Sequence, residues 1–271
     1  MNEQKDNTAQ IRIADAFAHG KAFIPFITAG DPDVATTERL IVAMVDAGAD
    51  LVEIGIPFSD PTAEGPVIQG ANLRALNGGM NTDKAFELVR HLREGDGVRV
   101  PMVYMTYANV VFSYPGGSDA FCAKAAEAGV QGLILPDVPF EEHEEFAAPA
   151  RAHGLELVSM IAPTSHDRIR AIARGAEGFV YCVSSLGVTG ERTAITGDIA
   201  GMVKIVRSVT SVPVAVGFGI STPEQAADMA AKSDGAIVGS AIVRMVGAKG
   251  SDAIEDVAAY VRAMKDAVRR A

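Results

Sequence analysis

The sequence predicts a single-domain (β/α)8 TIM barrel with an extra N-terminal helix. Three observations lead there. Eight short apolar runs recur along the chain, each followed by a stretch with helical spacing. The length of 271 residues suits a barrel of about 250 with little left over. Several helical stretches stop at glycine just before the next apolar run, at Ala47-Gly48-Ala49, Ala128-Gly129-Val130 and His153-Gly154-Leu155. A doubly wound open sheet competes, but eight regular units with no second domain favour closure. The whole chain, 1–271, reads as one domain with a flexible polar leader at 1–10.

In order, the spacing at 11–17 predicts a helix ending near Gly20. The run 22–30 is almost continuously apolar, as a parallel strand buried on both faces should be, and Asp31-Pro32-Asp33 turns the chain into a helix over 36–47. The remaining units repeat this. The expected strands are 51–55, 101–105, 132–135, 156–161, 178–183, 212–216 and 235–238. The expected helices are 82–93, 119–128, 140–152, 166–174, 199–208, 223–231 and 252–269.

The formal charge of −10 argues against nucleic acid and anionic membrane surfaces as partners. The polar start and the lack of a membrane-length apolar run predict a soluble cytoplasmic protein. Cys122 and Cys182 are far apart and form no metal-ligand spacing, so both are expected to be buried free thiols.

In such a barrel, chemistry gathers at the C-terminal ends of the strands. Glu53 lies in an apolar strand with no basic residue at the neighbouring strand ends, so burial should raise its pKa toward the range of a general acid–base. The following loop brings up a second carboxylate, Glu64, which alone would read as solvated. Gly217 and Gly219 follow the seventh strand; Gly239 and Ser240 follow the eighth, where a short helix opens; Gly187 and Gly190 follow the sixth. Backbone N–H groups bared by glycine beside a helix N-terminus suit a phosphate. Asp137 is balanced between a structural and a catalytic role. The loop 184–197, with Glu191-Arg192-Thr193, reads as a lid. His19, His91, His143, His153 and His166 lie on or beside helices and are read as surface or structural, and no metal site is expected.

Several motifs are more specific: PFITAGDP at 25–32, VEIGIPFSDP at 52–61, GPVIQ at 65–69, MTYAN at 105–109, LPDVPFEE at 135–142, SLGVTGERT at 185–193 and VGFGIS at 216–221. Together they resemble the tryptophan synthase alpha subunit family over about 17–264. The resemblance implies a lyase that cleaves indole-3-glycerol phosphate to indole and glyceraldehyde 3-phosphate, with no cofactor of its own. It implies Glu53, Glu64 and Tyr181 as catalytic residues, and Gly190, Gly219, Gly239 and Ser240 as the phosphate site. Phe26, Ile68, Met105 and Ile134 would flank the indole. The implied partner is a beta subunit carrying pyridoxal phosphate in an alpha2beta2 assembly, faced by the loops around Asp60 and Asn109. The chain departs from the family pattern at Glu64, where aspartate is expected. Two other readings keep the barrel and phosphate site. One is an alpha-like subunit that binds the ligand and activates a beta subunit with little turnover; the other is a barrel acting on a related phosphorylated substrate.

Overall fold

The structure, a computed structural model, describes residues 11–184, 190, 198–217 and 219–271. Eight parallel strands close into a barrel in chain order: β1 (Ala22–Thr28), β2 (Val52–Gly55), β3 (Met102–Met105), β4 (Gly132–Ile134), β5 (Glu156–Ile161), β6 (Glu177–Val183), β7 (Val214–Gly217) and β8 (Gly235–Val238). The helices outside it are α1 (Val34–Asp46), α2 (Pro66–Asn77), α3 (Thr82–Glu94), α4 (Ala108–Phe112), α5 (Gly117–Ala128), α6 (His143–Ala152), α7 (His166–Arg174), α8 (Ile199–Arg207), α9 (Pro223–Lys232), α10 (Ser240–Lys249) and α11 (Ile254–Arg269).

Strand periodicity decides which side chains reach the interior. In β1, Phe23 and Ile27 pack outward against the helices, while Ile24 points in. Before and along β2, Val52 and Ile54 face out and Leu51 faces in, so a period of two turns Glu53 inward. Ile24, Leu51, Val103, Ile134, Phe179 and Ile237 share one apolar cluster in the barrel interior. The inward residues one step further along the strands form the floor of the barrel mouth.

The extra N-terminal helix is one short 3-10 helix, Ile13–Phe17, started by the Arg12 N–H donating to the Asp15 carboxylate at 2.8 Å. It plugs the opposite end of the barrel. Fully buried Ile13 fits there because Gly132 and Gly178 lack side chains; a Cβ at either would come within 2.8 and 3.0 Å of its Cδ1. Residues 1–10, expected as a leader, lie outside the described residues.

The stretch after Glu64 departs from expectation. It reads as loop, yet Pro66 opens α2 from its first turn, where a missing N–H costs nothing, with Gly65 as the cap. Glu64 is therefore held at the foot of a three-turn helix. Cys122 and Cys182 are buried free thiols as expected. Among the described residues, no helix is long and apolar enough to cross a membrane.

Candidate active site

One cavity at the C-terminal ends of the strands gathers most of the residues singled out from the sequence. Glu53, Glu64 and Tyr181 line it on one side. Phe26, Ile68 and Met105 form an apolar wall, and Gly190, Gly219, Gly239 and Ser240 form the far end. Ile134 is not on this wall. It pairs with Met105 in the register of β3 and β4 but is wholly buried within the interior apolar cluster. Asp60 is exposed on the loop following β2, and Asn109 is exposed in α4, the short helix following β3.

Glu53 is 1 % exposed and its Oε2 has no hydrogen-bond partner among the described residues. Desolvation, and secondarily the nearby Glu64 charge, push its pKa up to about 8. It is thus a neutral acid at pH 7. Two carboxylates in one apolar site cannot both ionise cheaply.

Glu64 is also buried but differently served. The Asn72 side-chain amide on α2 donates to its Oε2 at 2.7 Å, and the Tyr107 hydroxyl shares a hydrogen bond with its carboxylate. Burial raises its pKa on balance, while both bonds pull the other way. The loop around it is fixed as well. Gln69 Nε2 donates to the Glu64 carbonyl at 2.6 Å, and the Ala63 N–H donates to Tyr107 Oη at 3.2 Å. Environment therefore separates the two acids: Glu53 Oε2 has no donor among the described residues, whereas the Glu64 carboxylate has two.

Tyr181 stands beside Glu53, which, after burial itself, helps keep its phenol un-ionised. Its ring occupies space that Gly217 leaves, since a Cβ there would come within 2.5 Å of Tyr181 Oη. At the far end, Gly219 adopts a left-handed φ of 87°, and Gly239 caps α10 without using a side chain. The first N–H groups of this ten-residue helix thus point toward the cavity with no side-chain cap, an arrangement suited to an anion.

The other sequence candidates settle elsewhere. Asp137 takes the Ala108 N–H at 3.1 Å on each carboxylate oxygen and so tethers the start of α4. His153 contacts Asp119 and His91 contacts Glu38 at the surface. His143 lines a second, larger cavity of about 310 Å³ that adjoins the first along Met105 and Tyr181. Most of the expected lid, 185–189 and 191–197, lies outside the described residues. Sequence reasoning missed Asn72 and Tyr107. Tyr107 sits in the MTYAN motif at a strand end, a signal that was available; Asn72 has none short of the helix itself.

A family model described as tryptophan synthase alpha chain matches residues 14–269. The chain belongs to the tryptophan synthase alpha chain family. Among curated members it is 45 % identical to the tryptophan synthase alpha chain of Lacticaseibacillus casei, over 95 % of each chain, and 49 % identical to that of Lactiplantibacillus plantarum, over 85 % of this chain and 86 % of the other. Among solved structures it is similar to tryptophan synthase subunit alpha of Legionella pneumophila (TM-score 0.83, 36 % identity, 93 and 94 % coverage). It is also similar to a chain of Mycobacterium tuberculosis tryptophan synthase (TM-score 0.85, 32 % identity, 96 and 98 % coverage).

Proposed function

We propose that this chain is the lyase that cleaves indole-3-glycerol phosphate to indole and glyceraldehyde 3-phosphate in tryptophan biosynthesis. The observation carrying this reading is the pairing, in one cavity whose far end is a helix N-terminus, of a buried, neutral Glu53 whose Oε2 has no partner among the described residues with a hydrogen-bonded Glu64. The bond between indole C3 and the glycerol chain can break only if the electron pair it leaves has somewhere to go. Glu53, protonated, gives its proton to C3, turning the ring into an electron-accepting indolenine. The positive charge that develops at the ring N–H is met by the Glu64 carboxylate. The C–C pair then returns to the ring as indole departs. The chain hydroxyl becomes the aldehyde carbonyl, passing its proton to the Glu53 carboxylate and restoring the acid. Every proton is returned, so the cycle calls for no cofactor in this chain.

The substrate phosphate is assigned to Gly190, Gly219, Gly239 and Ser240, and the indole ring to the slot between Phe26, Ile68 and Met105. Ile134 supports that slot. Tyr181 walls the side next to Glu53. The partner is a beta subunit, carrying the pyridoxal phosphate, seated over Asp60 and Asn109 in an alpha2beta2 assembly; the similarity to M. tuberculosis tryptophan synthase supports it. The whole chain is one domain and acts in the cytoplasm. The test is indole release from indole-3-glycerol phosphate by the isolated chain and after adding a beta subunit. Indole in either case supports the reading, and none in both sinks it.

A further inference from the structure

The unusual feature of this chain at the site is the length of residue 64, and the structure provides a counterpart for it. Asn72 is 4 % exposed, midway along α2, and its side-chain amide donates to Glu64 at 2.7 Å. A buried amide inside a helix is costly unless it is used. α2 is a firm mount for it. Arg74, one residue pair further on, grips the buried Asp31 carboxylate with two bonds of 2.8 Å, and Ile68 and Ala71 pack with Phe26 and Val243. The acid itself belongs to the loop before the helix.

We propose that Asn72 is the positioning residue for Glu64, fixing from α2 how far the longer carboxylate reaches into the cavity. This rests on the role given to Glu64 above. Shortening residue 64 by one carbon would retract the carboxylate by roughly 1.5 Å, beyond hydrogen-bond range of an unmoved Asn72. Lengthening residue 72 by one carbon would restore the reach. The groups acting on the Glu64 carboxylate are Glu53 from β2, Tyr107 from the end of β3 and Asn72 from α2. Of the three, Asn72 cannot titrate, so its loss shifts Glu64 without adding an ionisation of its own.

The experiment compares indole release by the full-length parent, Asn72→Leu, Glu64→Asp, and Glu64→Asp combined with Asn72→Gln, with KM and the pH profile of kcat. Asn72→Leu is expected to lower kcat by about ten- to a hundredfold, the scale of an ångström-sized misplacement, with KM changed less than about threefold. Its acid limb should move to higher pH, since a bond favouring the ionised form is lost. The double variant should recover at least about fivefold over Glu64→Asp alone. Unchanged kcat and acid limb in Asn72→Leu, or no recovery in the double variant, overturns the proposal. If Asn72→Leu does not fold, the double against the single variant decides. Carbon-13 titration of the Glu64 carboxyl in the ligand-free chain, with and without Asn72→Leu, separates the two readings. A shifted titration in a chain that releases no indole would keep the contact and sink the reaction.

Discussion

Phe26 stands opposite Glu53 in the register of β1 and β2, and its ring fills space left by two glycines. A Cβ at Gly55 would meet its Cζ at 2.7 Å, and one at Gly239 its Cδ1 at 3.2 Å. The ring beside the acid is thus held by the absence of side chains on strands to either side. It excludes water from Glu53 and gives a flat apolar face to the cavity.

Gly55→Ala should therefore force the Phe26 ring toward Glu53. Overpacking of this kind costs about 1–3 kcal/mol of stability, and kcat/KM for indole release should fall by at least about tenfold. Gly70→Ala is the contrast. It lies within α2, where an added Cβ makes only ordinary contact with Arg74 at 3.5 Å. Removing glycine from a helix interior should stabilise the chain by about 0.5–1 kcal/mol in urea unfolding, with activity unchanged.

Glu53 stays protonated to about pH 8 in the folded chain, against an ordinary value of 4.5. Between those values the folded state holds a proton that the unfolded chain has lost. Stability from this site is therefore complete below pH 4.5 and declines as pH rises toward 8. Glu53→Gln keeps the shape and removes the titration. Urea unfolding should show parent and variant alike near pH 5, with the variant more stable by roughly 2–4 kcal/mol at pH 9. Indole release should drop by about 10²–10⁴, the usual contribution of a general acid–base. Parallel stability curves across that range would show that Glu53 titrates normally.

The strands and Glu53 were legible in the sequence because continuous apolar runs and a period of two follow from local rules. The glycines at the strand ends were legible as positions, but part of their purpose was not. Gly239 and Gly217 also make room for the rings of Phe26 and Tyr181, a matter of packing between distant residues. α2 was missed because Gly65-Pro66 signals a turn as readily as a helix start. Asn72 and Tyr107 reach Glu64 only once α2 and the end of β3 are side by side, which no local pattern states.

At Gly219 the left-handed φ of 87° is a conformation that a side chain strains by roughly 1–2 kcal/mol. Gly219→Ala should loosen the phosphate end while leaving the acids in place. Affinity for glycerol 3-phosphate, measured by calorimetry, should fall about tenfold, with kcat at saturating substrate reduced far less. Equal losses in both would place Gly219 in the chemical step.

Tyr181 separates shape from chemistry. Burial, and after it the neighbouring Glu53, keep the phenol un-ionised, so it has no negative charge to offer. What the structure fixes is the ring, set against the bare Cα of Gly217. Tyr181→Phe keeps that ring and should lower kcat by less than about threefold. Gly217→Ala keeps the hydroxyl but drives a methyl into it at 2.5 Å, and should cost at least about tenfold. The reverse order in steady-state indole release would assign Tyr181 a proton-handling role beside Glu53.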